Sequence, residues 1–138
     1  MISLPFPPSG LSGHAKGNWY GKSSVTKKWR QMACEAAKAA GYIVPEDGDI
    51  SVHVTFYPPD RRGDRVNFPN RCKPIFDGIA DALGVNDSRF VPHFYFCAPT
   101  KPGRVEVVLS IPGIHSAPFY TSDAKVITGL SPNEMEAT

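Results

Sequence analysis

Cysteine is scarce in this sequence: Cys34, Cys72 and Cys97 are odd in number and far apart. None is paired in a CxxC motif, which excludes a zinc knuckle and argues against a disulfide framework. Scattered thiols of this kind fit a reducing cytoplasm, the expected location. Long apolar runs are missing too, so no membrane span is expected. The opening MISLPFPPS has no basic segment leading into an apolar one, so no signal peptide is expected either. The four histidines are isolated from each other, with no HExxH spacing, and GxGxxG, P-loop and GxSxG motifs are absent. Acidic residues are absent from the first 34 positions, where Lys16, Lys22, Lys27, Lys28 and Arg30 carry all the charge.

What is present fits one ordinary domain. The chain has 138 residues, 41% of them hydrophobic and 20% charged, which excludes wholesale disorder and a fibrous architecture. The net charge is +2. Residues 113–138 hold Lys125 against Asp123, Glu134 and Glu136, so the remainder has 14 bases to 10 acids, a core of +4. A basic face on a small domain suits a polyanion, although a solvated surface accounts for the charge equally well.

The patterning predicts β-α-β-α-β-β, an α/β (α+β) fold with a mixed sheet and two helices. Residues 2–6 read as a short strand stopped by Pro7-Pro8. Ser24 is placed as the N-cap of a helix over 25–40 with Trp29, Met32, Ala33, Ala36 and Ala40 on one stripe, ended by Gly41. Residues 50–57 alternate as a half-buried strand, with Ser51, His53, Thr55 and Tyr57 on the polar side and His53 exposed. A second helix is expected over 70–83, its start limited by Pro69 and Pro74 and its end set by Gly84. Residues 90–97 and 104–111 read as strands joined by a hairpin loop over 98–103. Residues 1–112 form the expected domain and 113–138 a mobile tail.

Residues 60–90 carry the most chemistry. Asp60, Asp64, Asp77, Asp81 and Asp87 interleave with Arg61, Arg62, Arg65, Arg71, Lys73 and Arg89. A surface that only bound DNA would not set carboxylates beside phosphates, since like charges repel. A Mg²⁺ ion resolves the conflict by taking carboxylate oxygens on one side and phosphate oxygens on the other. Acids for metal framed by bases for backbone is the pattern of a metal-dependent nuclease. The helix between Asp64 and Asp87 carries the chain roughly 20 Å. The segment before it can reach back about 20 Å when extended. The two carboxylates can therefore meet at the helix's C-terminal side, though spacing does not force it, and both residues also suit turns. Lys73, Asp77 and Asp81 share a helix face, either turned to a metal or a solvated stripe with an i, i+4 pair. His14, Lys16, Asn18, Trp19, Tyr20 and Lys22 mix bases with aromatics in a glycine-rich loop, suited to unpaired bases and phosphates or to a Trp packed on the domain.

At this point the sequence resembles the RusA family of Holliday junction resolvases, found in phages and prophages, over residues 1 to about 112. The resemblance opens with Leu4-Pro5-Phe6-Pro7-Pro8-Ser9 and continues through the 14–22 loop and Lys28-Trp29-Arg30. Its specific part is Pro59-Asp60-Arg61-Arg62-Gly63-Asp64-Arg65-Val66-Asn67, then Lys73, Asp77 and Asn86-Asp87-Ser88. The family pattern is an Arg-rich turn, Asp-x-Asp-Asn, a lysine, a helix aspartate and an Asp-Asp pair. The resemblance implies a homodimeric, Mg²⁺-dependent endodeoxyribonuclease (Mn²⁺ substituting) that cuts four-way junctions and related branched DNA. It implies Asp64, Lys73 and Asp87 as catalytic, Asp64, Asp87 and Asp77 as metal ligands, and Arg61, Arg62, Lys16, Lys22 and Asn67 as DNA contacts. Val66 replaces the second aspartate, Asn86 replaces the first of the pair, and Lys73 lies six residues after Asn67 instead of three. Asp60, Asp77 or Asp81 could supply the missing oxygen. The alternative that Val66 keeps open is a branched-DNA binder with weak or no cleavage.

Overall fold

The computed structural model describes the backbone of residues 1–11 and 19–111, and the side chains of 1–11 and 23–111. Six elements follow in the order β1 (Ile2–Pro5), α1 (Trp19–Ala40), β2 (Ile50–Tyr57), α2 (Lys73–Leu83), β3 (Phe90–Phe96) and β4 (Arg104–Ser110). Short 3₁₀ turns occupy Ser9–Leu11, Arg65–Arg71 and Asp87–Arg89. This is the β-α-β-α-β-β order that the patterning predicts: a mixed four-stranded sheet with two helices. The expected tail, and Lys16 with the rest of 12–18, lie outside the described residues, as do the side chains of Trp19, Tyr20 and Lys22.

The strands lie in the order β1-β4-β2-β3. β4 runs antiparallel to β1 and to β2, pairing Ile2 with Val107 and Val54 with Val107. β2 and β3 are parallel, with Val54 opposite Phe94, and α2 makes the crossover between them. The expected β3–β4 hairpin does not form, because β2 lies between the two strands. The 98–103 segment instead passes over the end of β2, where Cys97 N–H donates to Phe56 O and Thr100 N–H to Pro58 O. The reason is burial. Val105, Glu106, Val107, Val108 and Leu109 are consecutive buried residues, and such a run needs a neighbour on either side and cover on both faces. β3 takes the edge, where Pro92 costs no ladder bond when its nitrogen faces outward.

The core lies between one sheet face and the helices. Ile50, Val52, Val54 and Phe56 of β2 meet Trp29, Ala33 and Ala37 of α1 and Ile75 and Ile79 of α2. The opposite face of β2 is not the half-exposed surface that its alternation suggests. Ser51, Thr55 and Tyr57 are buried in a strand flanked by β3 and β4. The Arg104 guanidinium stands 3.9 Å from the Tyr57 ring centroid, and its Nε donates to Glu106 Oε1 at 3.1 Å. His53 is half-buried rather than exposed. It stacks on His93 at 4.7 Å and bonds Tyr95 Oη at 3.0 Å and Ser110 Oγ at 2.9 Å.

Both helices start elsewhere than the patterning predicts. α1 begins at Trp19, so Ser24 is an interior residue and not a cap. α2 begins at Lys73, since Asn70 and Arg71 belong to the 3₁₀ turn that contains Pro69. Pro74 sits in the first turn of α2, where its missing N–H is harmless. Gly84 ends that helix in the left-handed conformation, φ 67°. Gly78 brings α1 and α2 together. A Cβ there would stand 2.2 Å from Arg30 O and 2.8 Å from Ala33 Cβ.

Candidate functional site

The 60–67 segment follows Pro58-Pro59 at the end of β2. Asp60 Oδ1 accepts from Arg62 N–H at 2.8 Å, a short Asx turn that folds the loop on itself. Gly63 follows with φ +85°, a conformation that suits glycine. Asp64 then caps the 3₁₀ turn, its Oδ1 accepting from Val66 N–H at 3.0 Å. Phe68 is buried from this turn against Phe6, Phe56 and Phe96, which anchors the loop on the sheet.

The result is a cavity of about 660 Å³ lined by Asp60, Arg61, Arg62, Asp64, Arg65 and Phe68 among others. Arg61, Arg62 and Arg65 are exposed, and among the described residues none of them pairs with a carboxylate. The two nearest acids in sequence each spend an oxygen on backbone N–H groups of the loop itself. Unpaired guanidinium groups around one concavity form a site that attracts anions.

The other candidates gather at the first half of α2. Lys73 Nζ lies 2.9 Å from Asp77 Oδ1, one turn along, and bonds Asp87 Oδ2. Asp87 comes from the 3₁₀ turn before β3, whose N-cap Asn86 accepts from Ser88 N–H at 2.9 Å. The Lys73 ammonium holds the Asp87 carboxyl below its usual range, and the two carboxylates raise Lys73 above its own. Asp81 has a different partner. Arg30 of α1 grips it with both arms, Nε to Oδ2 at 2.7 Å and Nη2 to Oδ1 at 2.9 Å, which lowers the Asp81 pKa and raises that of Arg30.

The expected site residues thus fall in two groups. Lys73, Asp77 and Asp87 are brought together. Asp64, Arg61 and Arg62 line the loop cavity, and Asn67 is exposed on the adjoining turn. Asp64 and Asp87 share no bond, and the cavity that Asp64 lines includes none of Lys73, Asp77 and Asp87. Among the described residues no three His, Cys, Asp or Glu side chains are gathered at metal-binding spacing. Asp77 and Asp87 converge on the Lys73 ammonium, so a Mg²⁺ ion held there by two carboxylates together with substrate phosphates would have to displace it. One base of the stretch proves structural, and a second is held on aromatic rings. Arg89 donates to Gly48 O and Pro45 O, both at 2.7 Å, and Arg71 lies against Phe6 and Phe68. The Arg30–Asp81 tie left no signal in the sequence, as its partners lie 51 positions apart.

No family model matches the chain. Over 117 residues it is 41% identical to a protein of Xylella fastidiosa (strain Temecula1 / ATCC 700964) described as uncharacterized, covering 82% of this chain and 76% of that one.

Proposed function

We propose that this chain, which belongs to the same family as the Xylella fastidiosa protein, is a RusA-like, Mg²⁺-dependent endodeoxyribonuclease that acts on four-way junctions or related branched DNA. The observation that carries the reading is the loop cavity: three guanidinium groups with no carboxylate partner among the described residues line it together with a carboxylate, Asp64. Phosphates are the anions that planar guanidinium groups hold best, and an acid among them is useful where a phosphate is to be hydrolysed.

Each side chain then has a task. Arg61 and Arg62 hold backbone phosphates, with Lys16, Lys22 and Asn67 as further contacts. Asp77 and Asp87 would hold the metal, with Asp64 as a further ligand from the loop or as the group that orients the attacking water. Bound there, Mg²⁺ supplies charge to the phosphate and lowers the pKa of water. Lys73 neutralises charge that develops on the phosphate or the leaving oxygen. A homodimer would present two such sites to two strands, which suits a near-symmetric junction. Among the described residues no helix is long and apolar enough to cross a membrane. A cytoplasmic, phage- or prophage-encoded protein is part of the same proposal.

A second reading is a branched-DNA binder with weak or no cleavage. Val66 favours it, since a side chain without oxygen stands two residues from Asp64. A synthetic four-way junction incubated with and without Mg²⁺ separates the two. Cleavage that needs metal supports the nuclease, and a metal-indifferent gel shift without cleavage supports the binder.

A further inference from the structure

A second cavity, of about 420 Å³, lies on the other side of the arginine loop, between that loop and the Pro7-Pro8 turn. Asp60, Arg62 and Phe68 line both cavities. Arg71 lines only this one of the two. The residue is half-buried, and among the described residues no carboxylate reaches it. One Nη donates to Pro7 O at 3.1 Å, while Nε is fully buried and finds no partner among the described residues. Asp60, the acid on the cavity wall, has Oδ1 engaged by the loop backbone.

A guanidinium has five N–H groups, and leaving one desolvated without an acceptor costs free energy. Burial pulls the Arg71 pKa below its usual value, yet the group stays charged. The Phe68 and Phe6 ring centroids stand 5.1 and 5.8 Å from its central carbon. These contacts offset part of the cost and fix the plane of the fork, but a ring supplies no oxygen. Gly63 keeps the flank open. A Cβ there would stand 3.9 Å from Arg71 Nη2 and 3.3 Å from the Phe68 ring. A rigid, underbonded guanidinium loses little freedom on binding a planar or tetrahedral oxyanion.

We infer that Arg71, with Arg62 on the shared wall and Ser9 opposite, forms an oxyanion-binding subsite that takes one phosphodiester of a DNA strand, next to the one offered to the Asp64 cavity. The identity of the ligand rests on the nuclease reading; the anion site does not. Arg71 is a positioning residue here, which sets where the strand enters rather than acting at the reacting atoms.

Thermal melts of the full chain in sodium phosphate against sodium chloride at matched ionic strength test the anion site. Anisotropy titrations of a labelled four-way junction across a range of salt test the ligand. Phosphate should raise the melting temperature of the wild type, as any ligand of the folded state does, and Arg71→Met should reduce that shift. The slope of log K against log salt should shrink by about one unit in the same variant, one phosphate contact being lost. Arg71→Met retaining both the shift and the slope would overturn the inference. A reduced shift with an unchanged slope would overturn the phosphodiester assignment, leaving a site for free phosphate. An Arg71-dependent shift in a protein that binds no junction would support the anion site and reject the nuclease reading. Should Arg71→Met fail to fold, Arg71→Lys decides, since it keeps the charge and loses the planar fork: a weakened phosphate shift supports the subsite, and a wild-type shift overturns it.

Discussion

Lys73 Nζ bonds Asp87, which lies 14 positions further along the chain, and so ties the start of α2 to the turn that follows it. The same ammonium meets Asp77 at 2.9 Å, placing one positive charge between two carboxylates. Lys73 is two-thirds exposed, and exposed ion pairs contribute little to stability. The arrangement therefore bears on chemistry more than on folding. Lys73→Met is expected to leave the melting temperature nearly unchanged and to lower junction cleavage by about 10²–10³-fold, the usual effect of losing one charge-stabilising donor. A large drop in melting temperature with normal cleavage would make Lys73 a structural residue.

Gly78 sets how closely the two helices pack. A methyl group there would meet the Arg30 carbonyl and the Ala33 side chain, neither of which can move without shifting α1. Gly78→Ala is expected to destabilise the fold by about 2–3 kcal/mol despite its better helix propensity, because overpacking outweighs the gain. Urea denaturation checks this, with a neutral or stabilising result as the contrary outcome.

His53 predicts an acid sensitivity. Burial, and then the neighbouring His93, hold its pKa below the usual histidine value. The unfolded chain therefore takes up the proton first as pH falls. The stability supplied by the neutral ring is complete above about pH 6.5 and is lost as pH drops through the lower folded value. Melts between pH 8 and 5 are expected to show this loss, and His53→Gln to reduce it. The effect is small, since the ring is only half-buried.

Val66 is 78% exposed, so the fold tolerates an acid there. Val66→Asp is expected to melt as the wild type does and to reach half-activation at lower Mg²⁺. Normal melting with an equal or greater need for metal would show that position 66 supplies no ligand.

The strands and the C-terminal ends of the helices are legible in the sequence, since each is a local matter. Alternation places β2, and Gly41 and Gly84 end the two helices where an αL residue is needed. Strand order was harder to read. The 98–103 segment has the composition of a hairpin loop, and only the unbroken apolar run Val107-Val108-Leu109 marks β4 as an interior strand. The Lys73–Asp77 pair was legible as an i, i+4 spacing, whereas the arrival of Asp87 at Lys73 depends on how α2 packs. Arg89 and Arg71 read as ligand-facing bases, yet Arg89 is spent on backbone carbonyls, a fate that composition does not reveal.

The central claim is that binding rests on the arginines while cleavage rests on acids. Gel shift and cleavage of one four-way junction, by wild type and Asp64→Asn side by side in Mg²⁺, test it most directly. The wild type is expected to cleave only with metal, and Asp64→Asn to bind undiminished with cleavage abolished. An Asp64→Asn protein that cuts at the wild-type rate would contradict it.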